Sequence, residues 1–108
     1  MSRPTNILLI MTDQQRCDTI AALGNSVIRT PTLDRLCREG TAFTRAYTPA
    51  PVCVGARTAM LTGLPAHLTG CVDNDRPDYA TQTSLMQRLA RRDYLCHGVG
   101  KMHFGGDK

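Results

Sequence analysis

Apolar and polar positions along this chain fall into short blocks whose period changes from one block to the next. Asn6-Ile7-Leu8-Leu9-Ile10-Met11 is a continuous apolar run between Pro4 and the polar Thr12-Asp13-Gln14-Gln15, the pattern of a strand covered on both faces in a parallel sheet. From Pro31 the spacing becomes helical: Leu33, Leu36 and Cys37 share a face, Thr30 or Thr32 can cap the start, and Gly40 can end it. Residues 41–47 alternate around Ala42-Phe43-Thr44 and predict a short strand. Pro49, Pro51 and Gly55 interrupt regular structure, and residues 57–61 read as a helix closing at Gly63. Ser84 and Gln87 form a capping-box pair ahead of the stripe Leu85, Met86 and Leu89, predicting a helix that ends near Asp93. Residues 94–100 predict a second core strand. Residues 64–82, rich in Pro, Gly, Asp and Asn, carry no period and read as an irregular surface segment of a length that often serves function.

Strands alternating with helices predict an α/β fold, a mostly parallel sheet flanked by helices. Two polar clusters then fall at strand ends: Asp13-Gln14 after the first strand, and Lys101 with His103 after the last. In open α/β sheets ligands bind at the carboxyl edge, so both clusters are expected to face one cleft.

Composition narrows the function classes. With 42% hydrophobic and 20% charged residues among 108, the chain is of ordinary globular type. The net charge of +4 comes from scattered basic residues apart from Arg88, Arg91 and Arg92, which read as a solvated helix face. Aromatic residues make up 5% and Trp is absent, so the stacking platform of a nucleic-acid binder is missing. Cysteines 17, 37, 53, 71 and 96 are odd in number and contain no C-x-x-C pair, against both a zinc knuckle and a disulfide framework. Reduced thiols and a cytoplasmic location are expected. The run at residues 7–11 is too short for a signal-peptide core or a bilayer span, so neither membrane nor export is expected.

The chemistry concentrates around Cys53. Cys53-Val54-Gly55-Ala56-Arg57 lies where a Pro- and Gly-rich turn enters a helix, and an anion formed beside the unpaired N–H groups of a helix start is stabilised there. Arg57, four positions on, points back over the same turn and adds a fixed cation with several donors.

Taken together, residues 6–13, Pro51-Val52-Cys53-Val54-Gly55-Ala56-Arg57, Leu61-Thr62-Gly63 and Gly100-Lys101-Met102-His103 resemble, in order, the successive signature blocks of the sulfatase family, within the alkaline phosphatase superfamily. The resemblance covers nearly the whole chain. It implies an alkaline-phosphatase-like sheet, of which residues 1–108 would be the amino-terminal part of a catalytic domain. It also implies that Cys53 is oxidised to formylglycine, whose hydrated aldehyde attacks the sulfur of a small-molecule sulfate ester with one hydroxyl and releases the bound sulfate through the other. By the same resemblance Asp13, Gln14 and the converted Cys53 would face a divalent cation, calcium first, with manganese or magnesium as alternatives. Gln14 stands where many members have a second Asp, which lowers the charge of such a site. Arg57 would hold the hydrated aldehyde, and Lys101 and His103 would bind sulfate oxygens.

Gly55 stands where the family motif usually has Pro, sometimes Ala, and its freedom raises the ordering cost of presenting the motif to a converting enzyme. His67 and His97, unlike His103, read first as non-catalytic: His67 lies in the loop after the nucleophile helix, within range of a substrate contact, and His97 reads as a structural histidine within a strand. Cys17, Cys37, Cys71 and Cys96 read as small buried hydrophobes or bystanders. Two alternatives accompany the sulfatase reading: a phosphonate or phosphate ester hydrolase using the same site, and a truncated, non-catalytic fragment. The chain ends before the family's remaining ligands, so a protein partner or self-association is expected to cover an incomplete sheet.

Overall fold

A computed structural model describes residues 5–74 and 82–103 of the chain. It divides into two compact units, Met1–Ala46 and Tyr47–Lys108.

In the first unit a short 3-10 helix, Ala21–Leu23, packs on helix α1, Pro31–Glu39. Pro31 sits in the first turn of α1, where its missing N–H costs nothing, and the N–H of Gly40 closes the helix on the Leu36 carbonyl. Thr30 occupies the capping position but does not cap its own helix. Its hydroxyl accepts from the Ala21 amide at 2.9 Å and donates to Asp34 Oδ1 at 2.8 Å, while Asp34 also accepts from the Ala22 amide at 2.9 Å. One residue pair thus satisfies amides of the 3-10 helix that its own ladder leaves over. Asn25 holds the intervening turn by accepting from the amides of Val27 and Ile28. On the surface, the hydrogen bond from Arg16 holds the Asp18 carboxyl below its ordinary range, a contact too exposed to add much stability.

The second unit is built on α2, Cys53–Thr62, against which α3, Ala66–Thr69, and α4, Leu85–Ala90, both pack. Val54, Gly55, Arg57, Thr58, Ala59 and Leu61 of α2 are buried, and Ala50, Ala66 and Cys71 complete a small core with them. Gly63 ends α2 in the left-handed region at φ 74°, its amide bonded to the Ala59 carbonyl. The expected capping box starts α4: Ser84 accepts from the Gln87 amide, and Gln87 Oε1 accepts from the Ser84 amide at 2.8 Å. The helix covers residues 85–90 and gives way to a turn through Asp93.

The expected α/β sheet is not present: the described residues contain helices and no strand. Residues 7–11, 41–47 and 94–100 are irregular. Apolar character does not by itself make a strand, because the backbone groups of a strand are paired only by a neighbour. Among the described residues none of the three runs pairs with such a neighbour, and most of their side chains stay in solvent: Leu8 is 83% exposed, Ile10 73% and Val99 98%. Asp13-Gln14 and Lys101 with His103 therefore do not mark the ends of strands in one sheet, and His97 is exposed in an irregular segment. The segment read as irregular, residues 64–82, contains α3, while residues 75–81 lie outside the described residues.

Candidate active site

The helix α2 begins at Cys53, which is half-buried in its first turn. Val52, in extended conformation at the capping position, offers no side-chain acceptor, and no acidic residue lies in the first turn. The local sequence thus leaves the leading N–H groups of α2 to partners from elsewhere. One arrives from Asn74, whose Oδ1 accepts from the Val54 amide at 3.1 Å.

The same stretch of chain presses on α2 at a second point. Gly55 is buried, and a Cβ placed on it would lie 2.6 Å from the carbonyl oxygen of Cys71 and 3.0 Å from the Ala50 side chain. Cys71 is fully buried and held in part by its own amide, which donates to Thr69 Oγ1 at 3.3 Å. Gly70 takes the left-handed conformation, φ 76°, that turns the chain back after α3.

Arg57, one helical turn beyond Cys53, is buried, and its Nη1 donates to the Lys101 carbonyl at 2.8 Å. This bond spans 44 positions and fixes the backbone of Lys101 beside α2. From that backbone the Lys101 ammonium returns to Cys53, with Nζ 3.9 Å from Sγ. Cys53, Arg57 and Lys101 are thereby brought together: a thiol at a helix start, an adjacent cation, and a buried guanidinium that holds the cation's backbone in place.

His103, two positions past Lys101, is exposed, with φ at 46°, a conformation few non-glycine residues adopt. Asp13 and Gln14 belong to the first unit, in an exposed irregular segment where Gln14 also has a positive φ of 54°. The described residues contain no cluster of three or more His, Cys, Asp or Glu fit to hold a metal ion. Asp13 and Gln14 offer a carboxylate and an amide oxygen, whereas calcium takes six to eight oxygen ligands. The described residues do not by themselves fit a closed calcium site.

Cys71 and Asn74 were not marked by the sequence as parts of this arrangement. Asn is a frequent helix-capping residue, but nothing local ties a side chain at position 74 to a helix that begins at position 53. His67 lies in α3 and is exposed, and Arg88, Arg91 and Arg92 are exposed, as a solvated face requires. Of the cysteines read as bystanders, Cys17 and Cys96 are exposed and Cys37 is intermediate. None of the described helices is long and apolar enough to cross a membrane.

The sulfatase family model matches residues 5–108. An arylsulfatase of Clostridium perfringens is 36% identical over 99 residues, covering 91% of this chain and 21% of its own length. The mouse steryl-sulfatase is 33% identical, covering 95% of this chain and 18% of its own length. Human arylsulfatase D is 40% identical, covering 93% of this chain and 19% of its own length. No solved structure matches. The chain therefore spans about a fifth of the length of these relatives. Matched by the sulfatase family model over residues 5–108, the chain belongs to the sulfatase family.

Proposed function

We propose that residues 1–108 form the amino-terminal, nucleophile-bearing part of a sulfuric ester hydrolase domain. The observation that carries this reading is the convergence on Cys53: Lys101 Nζ lies 3.9 Å from its sulfur, on a backbone clamped by Arg57 at 2.8 Å. Converted to formylglycine, Cys53 would supply a hydrated aldehyde, one hydroxyl to attack the ester sulfur and one to release the sulfate.

The surrounding residues favour an anionic substrate. The start of α2 offers partial positive charge, and the Lys101 ammonium lies on the same side of the turn as the Cys53 side chain. Lys101 would bind a sulfate oxygen and stabilise charge as it develops there. Arg57 sets the position of Lys101, and His103 would be a second ligand of the sulfate group. Asp13 and Gln14 would contribute oxygen donors to a divalent cation, calcium by preference. Five free cysteines fit a reducing compartment, the cytoplasm. The substrate would be a small sulfate ester, the class named by the arylsulfatase and steryl-sulfatase relatives.

The test uses the natural full-length polypeptide from its own host. The peptide containing Cys53 is expected to show the mass change from thiol to aldehyde, and an aryl sulfate is expected to be hydrolysed. Cys53→Ala should abolish that hydrolysis. Turnover of an aryl phosphonate with none of the aryl sulfate would replace the sulfatase reading by a phosphonate hydrolase. Aryl sulfate hydrolysis that survives C53A would overturn the assignment of Cys53.

A further inference from the structure

We infer that Asn74 is a positioning residue for Cys53, acting through the first turn of α2; the inference rests on Cys53 being the reacting position. Position 52 is a valine, and the first turn of α2 holds no acidic residue, so no local side chain takes up its leading amides. Asn74 Oδ1 accepts the Val54 amide at 3.1 Å across 20 positions of sequence. An acceptor there fixes the residue that follows Cys53, and with it the direction of the Cys53 side chain.

Asn74 is itself exposed, and two features tie its bond to the buried part of α2 and to the proposed reaction. The chain from Cys71 to Asn74 also meets α2 at Gly55, where the absent Cβ leaves room for the Cys71 carbonyl. Adjacent residues of the turn, 54 and 55, are thus braced by one returning segment whose base, Cys71, is fully buried. The acceptor is also a neutral amide. It satisfies the donor without placing a full negative charge beside the helix start, where the proposed reaction gathers negative charge.

Asn74→Ala removes the acceptor and Asn74→Asp retains one, so the pair separates the hydrogen bond from the bulk of the side chain. In the full-length polypeptide, hydrogen exchange of the Val54 amide should quicken about fivefold in N74A, the scale of one lost helix cap, and return toward wild type in N74D. Aryl sulfate turnover should show a kcat lowered about tenfold in N74A with KM little changed, as expected when a reacting group is misaimed rather than substrate binding lost. N74D should recover part of that kcat. Should N74A prove too unstable to assay, Asn74→Gln keeps the amide but displaces it by one methylene, and is expected to quicken Val54 exchange as well.

Unchanged Val54 exchange in both N74A and N74Q would overturn the inference. So would failure of N74D to restore protection, since a carboxylate accepts the same hydrogen bond. The wild-type protein separates this from the proposed function: absence of aryl sulfate hydrolysis in wild type removes the sulfatase reading, while the exchange measurement tests the brace regardless of activity.

Discussion

The carbonyl oxygen of Cys71 lies where a side chain on residue 55 would begin, 2.6 Å from a Cβ built on Gly55. The glycine at this place is therefore a packing requirement of the second unit, in addition to a departure from the Pro or Ala of the family motif. Because the obstructing atom belongs to the backbone of a fully buried residue, it cannot swing aside as a flexible side chain would.

Gly55→Ala is accordingly expected to destabilise. Alanine favours a helix over glycine by roughly 1 kcal/mol, but overpacking a close contact costs about 1–3 kcal/mol, and with a backbone oxygen in the way the upper part of that range applies, a net loss of about 1–2 kcal/mol. Gly55→Pro should lose as much, since proline is tolerated in a first turn and only its carbon atoms offend. Urea unfolding of the full-length polypeptide checks both. A G55A variant as stable as wild type would mean that the 70–74 segment withdraws freely from α2.

Thr58 leads to a prediction of opposite sign. It is fully buried, and its hydroxyl has no hydrogen-bond partner among the described residues. Thr58→Val exchanges that hydroxyl for a methyl of similar size, so stability should rise by about 1 kcal/mol, the scale of relieving a buried unsatisfied group. The urea midpoint should increase at unchanged slope. A lowered midpoint would show that the hydroxyl has a partner.

The cysteines should separate by reactivity. Cys17 and Cys96 are exposed, Cys37 and Cys53 intermediate, and Cys71 buried. In the folded protein a maleimide time course followed by peptide mass should label Cys17 and Cys96 first and Cys71 last. A converted Cys53 would leave this series and react with a hydrazide instead. Early labelling of Cys71 would contradict the core of the second unit.

How much of this was legible in the sequence depends on how local each cause is. The ends of α1 and α2 were marked by Gly40 and Gly63, and the start of α4 by the Ser84–Gln87 pair, because capping acts within a few residues. The strands at residues 7–11, 41–47 and 94–100 were misread, because pairing is a relation between distant segments and an apolar run supplies only half of it. The helix α3 has four residues, too few to establish a period. At the candidate site, Cys53, Arg57 and Lys101 were visible as motif blocks, and the structure brings them together. Asn74 and Cys71 were not, since their contacts with α2 exist only after the chain has turned at Gly70.

The exposed apolar runs have a consequence in solution. Ile7, Leu8, Leu9 and Ile10 are consecutive and each more than half exposed, an uncommon arrangement for a soluble monomer. Residues 1–108 expressed alone should bind a hydrophobic dye such as ANS and sediment with a concentration-dependent mass. A dye-silent monomer with a sharp, concentration-independent unfolding transition would show that these side chains are covered within the chain.

Arg57 ties the position of Lys101 to the stability of α2. Its guanidinium is buried and donates to the Lys101 carbonyl, and hydrogen bonds from charged groups contribute about 1.5–3 kcal/mol each. Arg57→Met keeps an apolar stem but removes the donors, so the segment around residue 101 should detach from α2. Limited proteolysis there should accelerate, and any aryl sulfate turnover should fall with it as the Lys101 ammonium leaves Cys53. Arg57→Lys is expected to restore little, because a single ammonium on a flexible stem cannot reproduce a planar fork with several fixed donors. Full rescue by R57K of both proteolytic protection and turnover would show that charge alone, rather than the directed Nη1 bond to the Lys101 carbonyl, sets the geometry beside Cys53.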